Sequence, residues 1–467
     1  MKKHILILLF LASAFLSCSR YLGIKPYGVI IPKTPEEFDA LIQPHLKDID
    51  QGKENMVLIP DGYTALSWDL YGDDYEPALR GDQASAAPFF IGTKIELSSN
   101  SLNEYGKLYA IIKDANIVID GIGESADENA QKTLSASYAL RGIAYYQLMR
   151  LYCEPISGDP LQMGVPMVRV FDMEAQVPRG TVSELKSAIE SDLLKALSYD
   201  PQDPAYLFTS DVLRGYLARL YFWTEEWAKA AETAGQLLAK YPLLPREAFV
   251  KMMTTASKSG NTLIKIAQGT LNVTIQAQID NIQKYFPLSL RFTTAFSDYD
   301  KAHDIRYTSW VDKKLHALKP PYSGLRSAEL LLIQAEAEYH LGHHDKALSL
   351  INDLRRHRID GYTPISMNAL PEAPERELIT EDASGKAITP LLALILSERR
   401  KELLNEGDRF FELKRNGRPE FWKALDGYRY DMKAYMYTLP IPLDDLYLQE
   451  SLIQNPEYDK YTTDNKD

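Results

Sequence analysis

The sequence predicts a mainly α-helical fold in which helix pairs pack beside a loop-rich region. Apolar residues recur with helical spacing through most of the chain after Tyr105, and two distant segments share the same spacing of small residues. In contrast, residues 51–102 are rich in Gly, Asp, Ser and Pro and follow no sustained period. This composition is typical of long surface loops, so we predict loops there.

The N-terminus has the pattern of an export signal that ends in a lipid-attachment cysteine. Lys2 and Lys3 precede an apolar run of twelve residues, Ile5 to Leu16. A helix that spans a bilayer needs about 20 apolar residues, so this run is too short to be an anchor. Cys18 follows where an ordinary signal would end in an Ala-x-Ala site, as in a bacterial lipoprotein box. We predict a signal peptide over residues 1–17 and acylation of Cys18, and an ordinary secreted protein with a chance cysteine is the alternative.

Helices are expected on both sides of the predicted loops. A first helix should begin at Thr34-Pro35, where a capping residue, a proline and two acidic residues come in the order that helix N-termini favour. After the loops, an apolar stripe over Ser135–Tyr152 predicts another helix, and Ser183–Leu197 a further one.

An internal repeat predicts a specific kind of helix pair. Two segments, beginning at Ala218 and Ala335, each place an aromatic residue four positions on and a second Ala twelve positions on, at Ala230 and Ala347. Small residues at such points let two helix axes approach closely, as in tetratricopeptide-type hairpins. We therefore predict such pairs, and an ordinary helical hairpin that recurs by chance is the alternative.

These patterns divide the mature chain into an N-terminal region, residues 18–210, and a C-terminal region, residues 211–467. We expect them to pack as one compact unit, with a loop-rich insert over residues 255–325. A content of 45% apolar residues is ample for a core. After processing Cys153 alone remains, so no internal disulfide is expected. The net charge of −12 argues against nucleic-acid binding.

A charged stretch in the C-terminal region has the spacing of an acid–base site. One helix face carries Glu398, Glu402 and Glu406, which are spaced four apart, but arginines are interleaved with them. Paired, ionised carboxylates are poor general acids, so we predict a structural ion network. Its predicted members are Glu398, Arg399, Arg400, Glu402, Glu406 and Arg409.

Motifs for metals and nucleophiles are weak. The stretch His340–His344 spaces two histidines four apart, but Gly342 predicts a turn between them. The stretch Asp298–Asp304 follows part of a calcium-loop pattern and lacks its glycine and closing glutamate. The sequence has no phosphate-binding glycine loop and no nucleophile elbow. We expect no enzyme activity, no metal and no cofactor, and a structural calcium ion is the open alternative.

Aromatic residues outside clear helical stripes are better candidates for ligand contact. The chain has 29 tyrosines, and exposed Tyr and Trp rings are suited to stacking on sugars or packing on peptides. Burial between helices is the alternative for each ring. The predicted ligand-contact residues are Trp68, Tyr71, Tyr75 and Trp310.

Several segments together resemble the SusD/RagB family of outer-membrane nutrient-binding lipoproteins. They occur in the family's order along nearly the whole mature chain. The segments are the box at Cys18, PKTPEEFDALI (32–42), RGTVSELKSAIESDLLKAL (179–197), HDIRY (303–307), the block that begins at Ala328, ERRKELLNEGDRFFELKRNG (398–417), LPIPLDDL (439–446) and QNPEY (454–458).

The resemblance implies a SusD-like α-helical fold and a role as lid on a SusC-type TonB-dependent transporter. Such a lid captures an oligosaccharide or a peptide and passes it to the barrel. The resemblance also implies a lipid-anchored protein of the outer membrane, exposed on the cell surface. The tyrosine and tryptophan content favours glycan cargo, and peptide cargo is the main alternative. Outside the family, a surface hydrolase and a purely structural lipoprotein are the remaining hypotheses.

Overall fold

The computed structural model describes residues 32–51, 58–76, 104–172, 174–255, 260–266, 273–425 and 428–458. The predicted signal peptide, Cys18 and most of segment 51–102 lie outside these residues. The described part contains 17 α-helices and three two-stranded sheets. The prediction of a mainly α-helical fold is confirmed.

Long helices build the N-terminal part of the fold. They are α1 (Pro35–Gln51), α2 (Gly62–Tyr71), α3 (Glu104–Ile122), α4 (Glu128–Tyr152) and α5 (Val182–Leu197). The predicted helix start at Thr34-Pro35 is confirmed. The predicted loop is wrong for residues 62–71, because the Asp61 side chain accepts a hydrogen bond from the Thr64 N–H at 2.8 Å and starts α2 there.

A short sheet and an ion pair fix α5 against α4. Strands β1 (Met163–Pro166) and β2 (Arg179–Thr181) pair antiparallel just before α5. From α4, Arg141 Nε and Nη2 donate to the two carboxylate oxygens of Asp192 at 3.0 and 2.9 Å. Both side chains are buried, so the pair sets the position of one helix on the other.

The two predicted helix pairs are present. The first consists of α6 (Ser210–Trp223) and α7 (Trp227–Lys240). After the insert described next, the second consists of α13 (Ser327–His340) and α14 (His344–Arg356). The four alanines of the repeat are fully buried, and α7 packs on α13, so the pairs stack. Gly342 makes the predicted turn between α13 and α14 with a φ of +81°.

The insert between the pairs is more ordered than the predicted loops. It contains α8 (Arg246–Thr254), β3 (Thr262–Lys265), α9 (Val273–Tyr285), α10 (Leu290–Thr293), α11 (Asp298–His303), α12 (Ile305–Trp310) and β4 (Gly324–Arg326). The prediction of a loop-rich segment over residues 255–325 missed these elements. Helices α10, α11 and α12 have only four to six residues, too few to show a clear period, whereas α9 has 13 residues and was overlooked. Gly324 is required where β3 meets β4, because a Cβ there would lie 2.0 Å from the Ile264 carbonyl oxygen.

The C-terminal part lies against both helical halves. It consists of α15 (Pro390–Glu402), α16 (Arg409–Arg415), strands β5 (Phe421–Leu425) and β6 (Tyr428–Met432), and α17 (Leu443–Leu448). One apolar cluster extends from Phe38 of α1 to Leu452 near the end of the chain. None of the described helices combines the length and the apolar content of a bilayer-spanning segment.

Candidate functional site

Three of the four predicted ligand-contact residues lie in the core. The exposed fractions of Trp68, Tyr75 and Trp310 are 5%, 1% and 3%. Tyr71 is half-buried, with its ring centroid 5.2 Å from that of Trp68. The expectation that these rings are exposed in loops is therefore wrong for the three buried residues. Burial between elements, which was the alternative, describes them.

The physical reason is that short helices in the predicted loops have their own apolar faces. Trp68 lies on α2 and packs on Phe410 and Phe411 of α16, with ring centroids 5.1 and 5.3 Å away. Trp310 ends α12 and packs edge-on against Phe249 at 5.1 Å. These rings stabilise the core and are not available to a surface ligand.

The charged face of α15 is a buried ion network. Glu402 is fully buried and its carboxylate accepts from Arg326 Nη1 at 2.8 Å, Arg358 Nη2 at 2.9 Å and Arg306 Nη1 at 3.3 Å. Glu398, on the same face, accepts from Arg306 Nη2 at 2.7 Å. Burial alone would raise the pKa of both carboxyls, but the surrounding cations outweigh it and lower the pKa of each. Both carboxylates are ionised, which suits them poorly for general-acid catalysis.

The arginines of the same stretch reach carboxylates of other elements. Arg399 donates to Asp408 at 2.5 and 2.7 Å. Arg400 contacts Asp73 at 3.0 Å and Asp74 at 2.6 Å, just after α2. The remaining pairs are Arg409 with Asp73, Glu377 and Glu412, and Glu406 with Lys319 and Arg326. Five of the six predicted members therefore link this stretch to other parts of the chain, and Arg399 links α15 to the start of α16 within it.

The weak calcium-loop pattern lies in helix α11 and its flanks. The Ser297 hydroxyl accepts a hydrogen bond from the Asp300 N–H at 3.0 Å and caps α11. Asp300 then pairs with Arg355 at 3.0 Å, and Asp304 pairs with Arg306 at 2.7 Å. Two carboxylates of the pattern are therefore already neutralised. Within the described ranges, no group of three or more His, Cys, Asp or Glu side chains is arranged to hold a metal ion.

An exposed tryptophan ring lies on the β5–β6 hairpin. In its register Trp422 is opposite Asp431 and Ala424 is opposite Arg429. Directly opposite residues share a face of a sheet, so Trp422, Arg429 and Asp431 lie together. The Trp422 side chain is 51% exposed, and the other four tryptophans, all of them in the described ranges, are buried or half-buried.

The outer face of the hairpin combines a flat ring with charged groups. Arg429 Cζ lies 5.2 Å from the centroid of the Trp422 ring, and its Nε and Nη2 donate to Asp431 Oδ1 at 2.8 and 2.7 Å. A ring face attracts the C–H face of a sugar, while guanidinium and carboxylate groups can bind its hydroxyls. We name Trp422, Arg429 and Asp431 the hairpin platform.

The inner face of the hairpin anchors the platform. Phe421 and Met432 are buried in the main apolar cluster. Beside them on the same face, Lys423 Nζ donates to the Leu70 carbonyl oxygen at 2.7 Å, at the end of α2. Burial lowers the pKa of Lys423 to about 8. The buried inner face therefore fixes the position of the hairpin platform on the protein surface.

The sequence analysis missed this hairpin, although its signal is present. The stretch FWKALDGYRYDM places Asp-Gly between two runs of alternating residues, which is a strong short-range hairpin signal. In β5, Trp422 alternates with the buried Phe421 and Lys423. Reading that alternation would have placed Trp422 on the outer face.

Two family models match this chain. The model of the SusD family matches residues 305–458, and a model described as "Starch-binding associating with outer membrane" matches residues 67–222. Among curated proteins, none matches the chain.

Solved structures share the fold over nearly the full chain. A SusD superfamily protein from Bacteroides fragilis is 21% identical with a TM-score of 0.70, covering 91% of this chain and 100% of its own. One from Bacteroides thetaiotaomicron is 18% identical with a TM-score of 0.68 and the same coverage. Surface glycan-binding protein A from Bacteroides uniformis is 16% identical with a TM-score of 0.61, covering 90% and 99%. The two models match separate parts of the chain, one in each half. Together with the shared fold, they identify this chain as a SusD-like protein.

Proposed function

We propose that this protein captures glycans at the cell surface on the hairpin platform and does not process them. The observation that carries the proposal is the exposure of Trp422 beside Arg429 and Asp431, on a base that is packed in the core. Glycan is supported as the cargo by the matched family described as starch-binding and by the similar fold of a surface glycan-binding protein.

Delivery to a SusC-type TonB-dependent transporter completes the proposal. The SusD-like identity supports this partner, and the family description supports an association with the outer membrane. An acylated Cys18 would hold both proteins in one membrane, which raises the effective concentration of each for the other. Copurification of the transporter with the full chain, and its loss with Cys18→Ser, would test this part.

Affinity electrophoresis of the chain without its first 18 residues tests glycan capture. We expect retardation in a gel that contains one polysaccharide of a panel. Trp422→Ala should weaken that affinity by about tenfold, because the stacking surface is lost while the buried inner face is untouched.

Tyr447→Ala is the matched control, since Tyr447 is 54% exposed and lies on α17. This variant should migrate like the parent protein. Equal retardation of the Trp422 variant would show that the platform is not the site. Free migration in every gel together with binding of a peptide would favour peptide cargo instead.

A further inference from the structure

A cavity of about 90 Å³ lies in the interior, away from the hairpin platform. It is bounded by α2, α4, α6, α13, α15 and α16. Aromatic rings form much of its wall, among them Trp68, Tyr146, Trp223 and Phe411. We name it the central cavity. Its walls also carry four arginines, which is unusual for a space in the core.

Three of these arginines have carboxylate partners. Arg219 pairs with Glu329 at 2.6 Å. Arg399 pairs with Asp408, and Arg415 pairs with Glu336, both at 2.5 Å. Their charges are therefore compensated within the protein. The fourth arginine differs.

Arg150, in the last turn of α4, has no carboxylate partner and no guanidinium hydrogen bond among the described residues. Its Cζ lies 3.7 Å from the centroid of the Phe411 ring and 5.5 and 5.6 Å from those of Trp223 and Tyr146. Burial lowers its pKa from the ordinary value. The Arg150 side chain is half-buried, and its buried Nε has no hydrogen-bond partner in the described part of the chain. Three rings interact with the cation but no described carboxylate forms an ion pair with it, so the guanidinium can bind an anion in the cavity.

Other polar atoms on the cavity wall also lack partners in the described part of the chain. Those that can donate are Tyr216 Oη, Ser323 Oγ, Arg399 Nη1 and Arg415 Nη1, each on a side chain that is more than nine-tenths buried. Unpaired buried donors are costly, and an occupant of the cavity that accepts hydrogen bonds would remove that cost.

We propose that the central cavity binds a small monocarboxylate whose carboxylate pairs with the Arg150 guanidinium. A planar carboxylate matches the two-pronged geometry of a guanidinium, and the aromatic walls suit a short apolar tail. The volume would hold about six to nine waters, which corresponds to an anion of a few heavy atoms. This proposal does not depend on glycan capture by the hairpin platform.

The charges on the wall favour one negative charge over two. Glu104 and Glu412 also line the cavity, and each has an unpartnered carboxylate oxygen among the described residues. Burial raises the pKa of Glu104, and it raises that of Glu412 to about 7. Where these carboxyls are ionised they repel a dianion such as phosphate about twice as strongly as a monocarboxylate at the same distance, so the wall favours the single charge.

Calorimetric titration of the full chain with sodium propionate tests the proposal, at an ionic strength held constant with sodium chloride. We expect saturable binding of propionate and none of propionamide, its neutral counterpart. Arg150→Met should weaken the affinity by about ten- to hundredfold, which is the value of hydrogen bonds to a charged group.

Arg214→Met is the matched control, because Arg214 is 45% exposed on α6 and does not line the cavity. It should bind propionate like the parent protein. If Arg150→Met does not fold, Arg150→Lys keeps the charge without the planar group and should weaken binding by about tenfold. Absence of saturable propionate binding, equal binding by the Arg150 variants, or tighter binding of phosphate in the same titration would overturn the proposal.

Discussion

Replacing Glu402 with glutamine is expected to lower the free energy of unfolding by about 3–5 kcal/mol. Glu402 is fully buried and its two carboxylate oxygens accept from three arginines. Glutamine has nearly the same volume, but it carries no charge and turns one acceptor into a donor that points at a guanidinium. Three buried cations then lose their shared counter-charge, and that loss dominates the expected effect.

Urea unfolding followed by far-ultraviolet circular dichroism measures this change. Glu232→Gln is the control, since Glu232 is exposed on α7. Its substitution should alter stability by less than about 0.5 kcal/mol. A loss below about 1 kcal/mol for the Glu402 variant would contradict the view that the network depends on this carboxylate.

Replacing Lys414 with methionine is expected to stabilise the protein near pH 7 and to change how its stability depends on pH. Lys414 is fully buried on α16, and Nζ donates to the Arg150 carbonyl oxygen at 2.7 Å. Burial lowers the pKa of Lys414 to about 7. No carboxylate among the described residues forms an ion pair with it.

Proton linkage gives the direction in which the stability changes with pH. Between pH 7 and about 10.5 the unfolded chain binds more protons at Lys414 than the folded chain, so this group makes stability rise with pH. The full penalty, present below pH 7, is on the order of 5 kcal/mol. Methionine removes it and loses one hydrogen bond of about 1 kcal/mol, so a net gain of about 4 kcal/mol is expected at pH 6.

Urea unfolding of both proteins at pH 6, 8 and 10 checks this prediction. The gain from Lys414→Met should shrink as the pH rises and disappear near pH 10. Lys113→Met is the control, because the Lys113 side chain is 51% exposed. A constant difference between the Lys414 variant and the parent protein at all three pH values would contradict the linkage.

The sequence predicted the parts of the fold that depend on local pattern. The cap at Thr34-Pro35 and the alanines of the two helix pairs follow from short-range spacing, and both appear in the structure. Helix α2 and the short helices of residues 255–325 were not predicted, because their burial depends on contacts with α16 and other distant elements. In α10, α11 and α12, which have four to six residues, a period cannot be recognised.

Site prediction failed for a related reason. Trp68 and Trp310 were chosen for their aromatic character in irregular sequence, and aromatic character alone does not separate a core ring from a ligand platform. Trp422 differs from them in the alternation of its strand, which buries its neighbours and exposes its own ring. The unpaired state of Arg150 could not be predicted at all, because it depends on which carboxylates the folded chain brings near.

The ion network also has a consequence for the order in which the protein folds. Arg400 and Asp74 are 326 residues apart, and Arg306 and Glu398 are 92 apart, so these contacts require closure of long loops. A chain that has formed only some of them holds desolvated charges without their counterparts. Partly assembled forms are therefore less stable than either the complete fold or the open chain. The network favours slow, cooperative folding in which the two halves of the sequence become stable together.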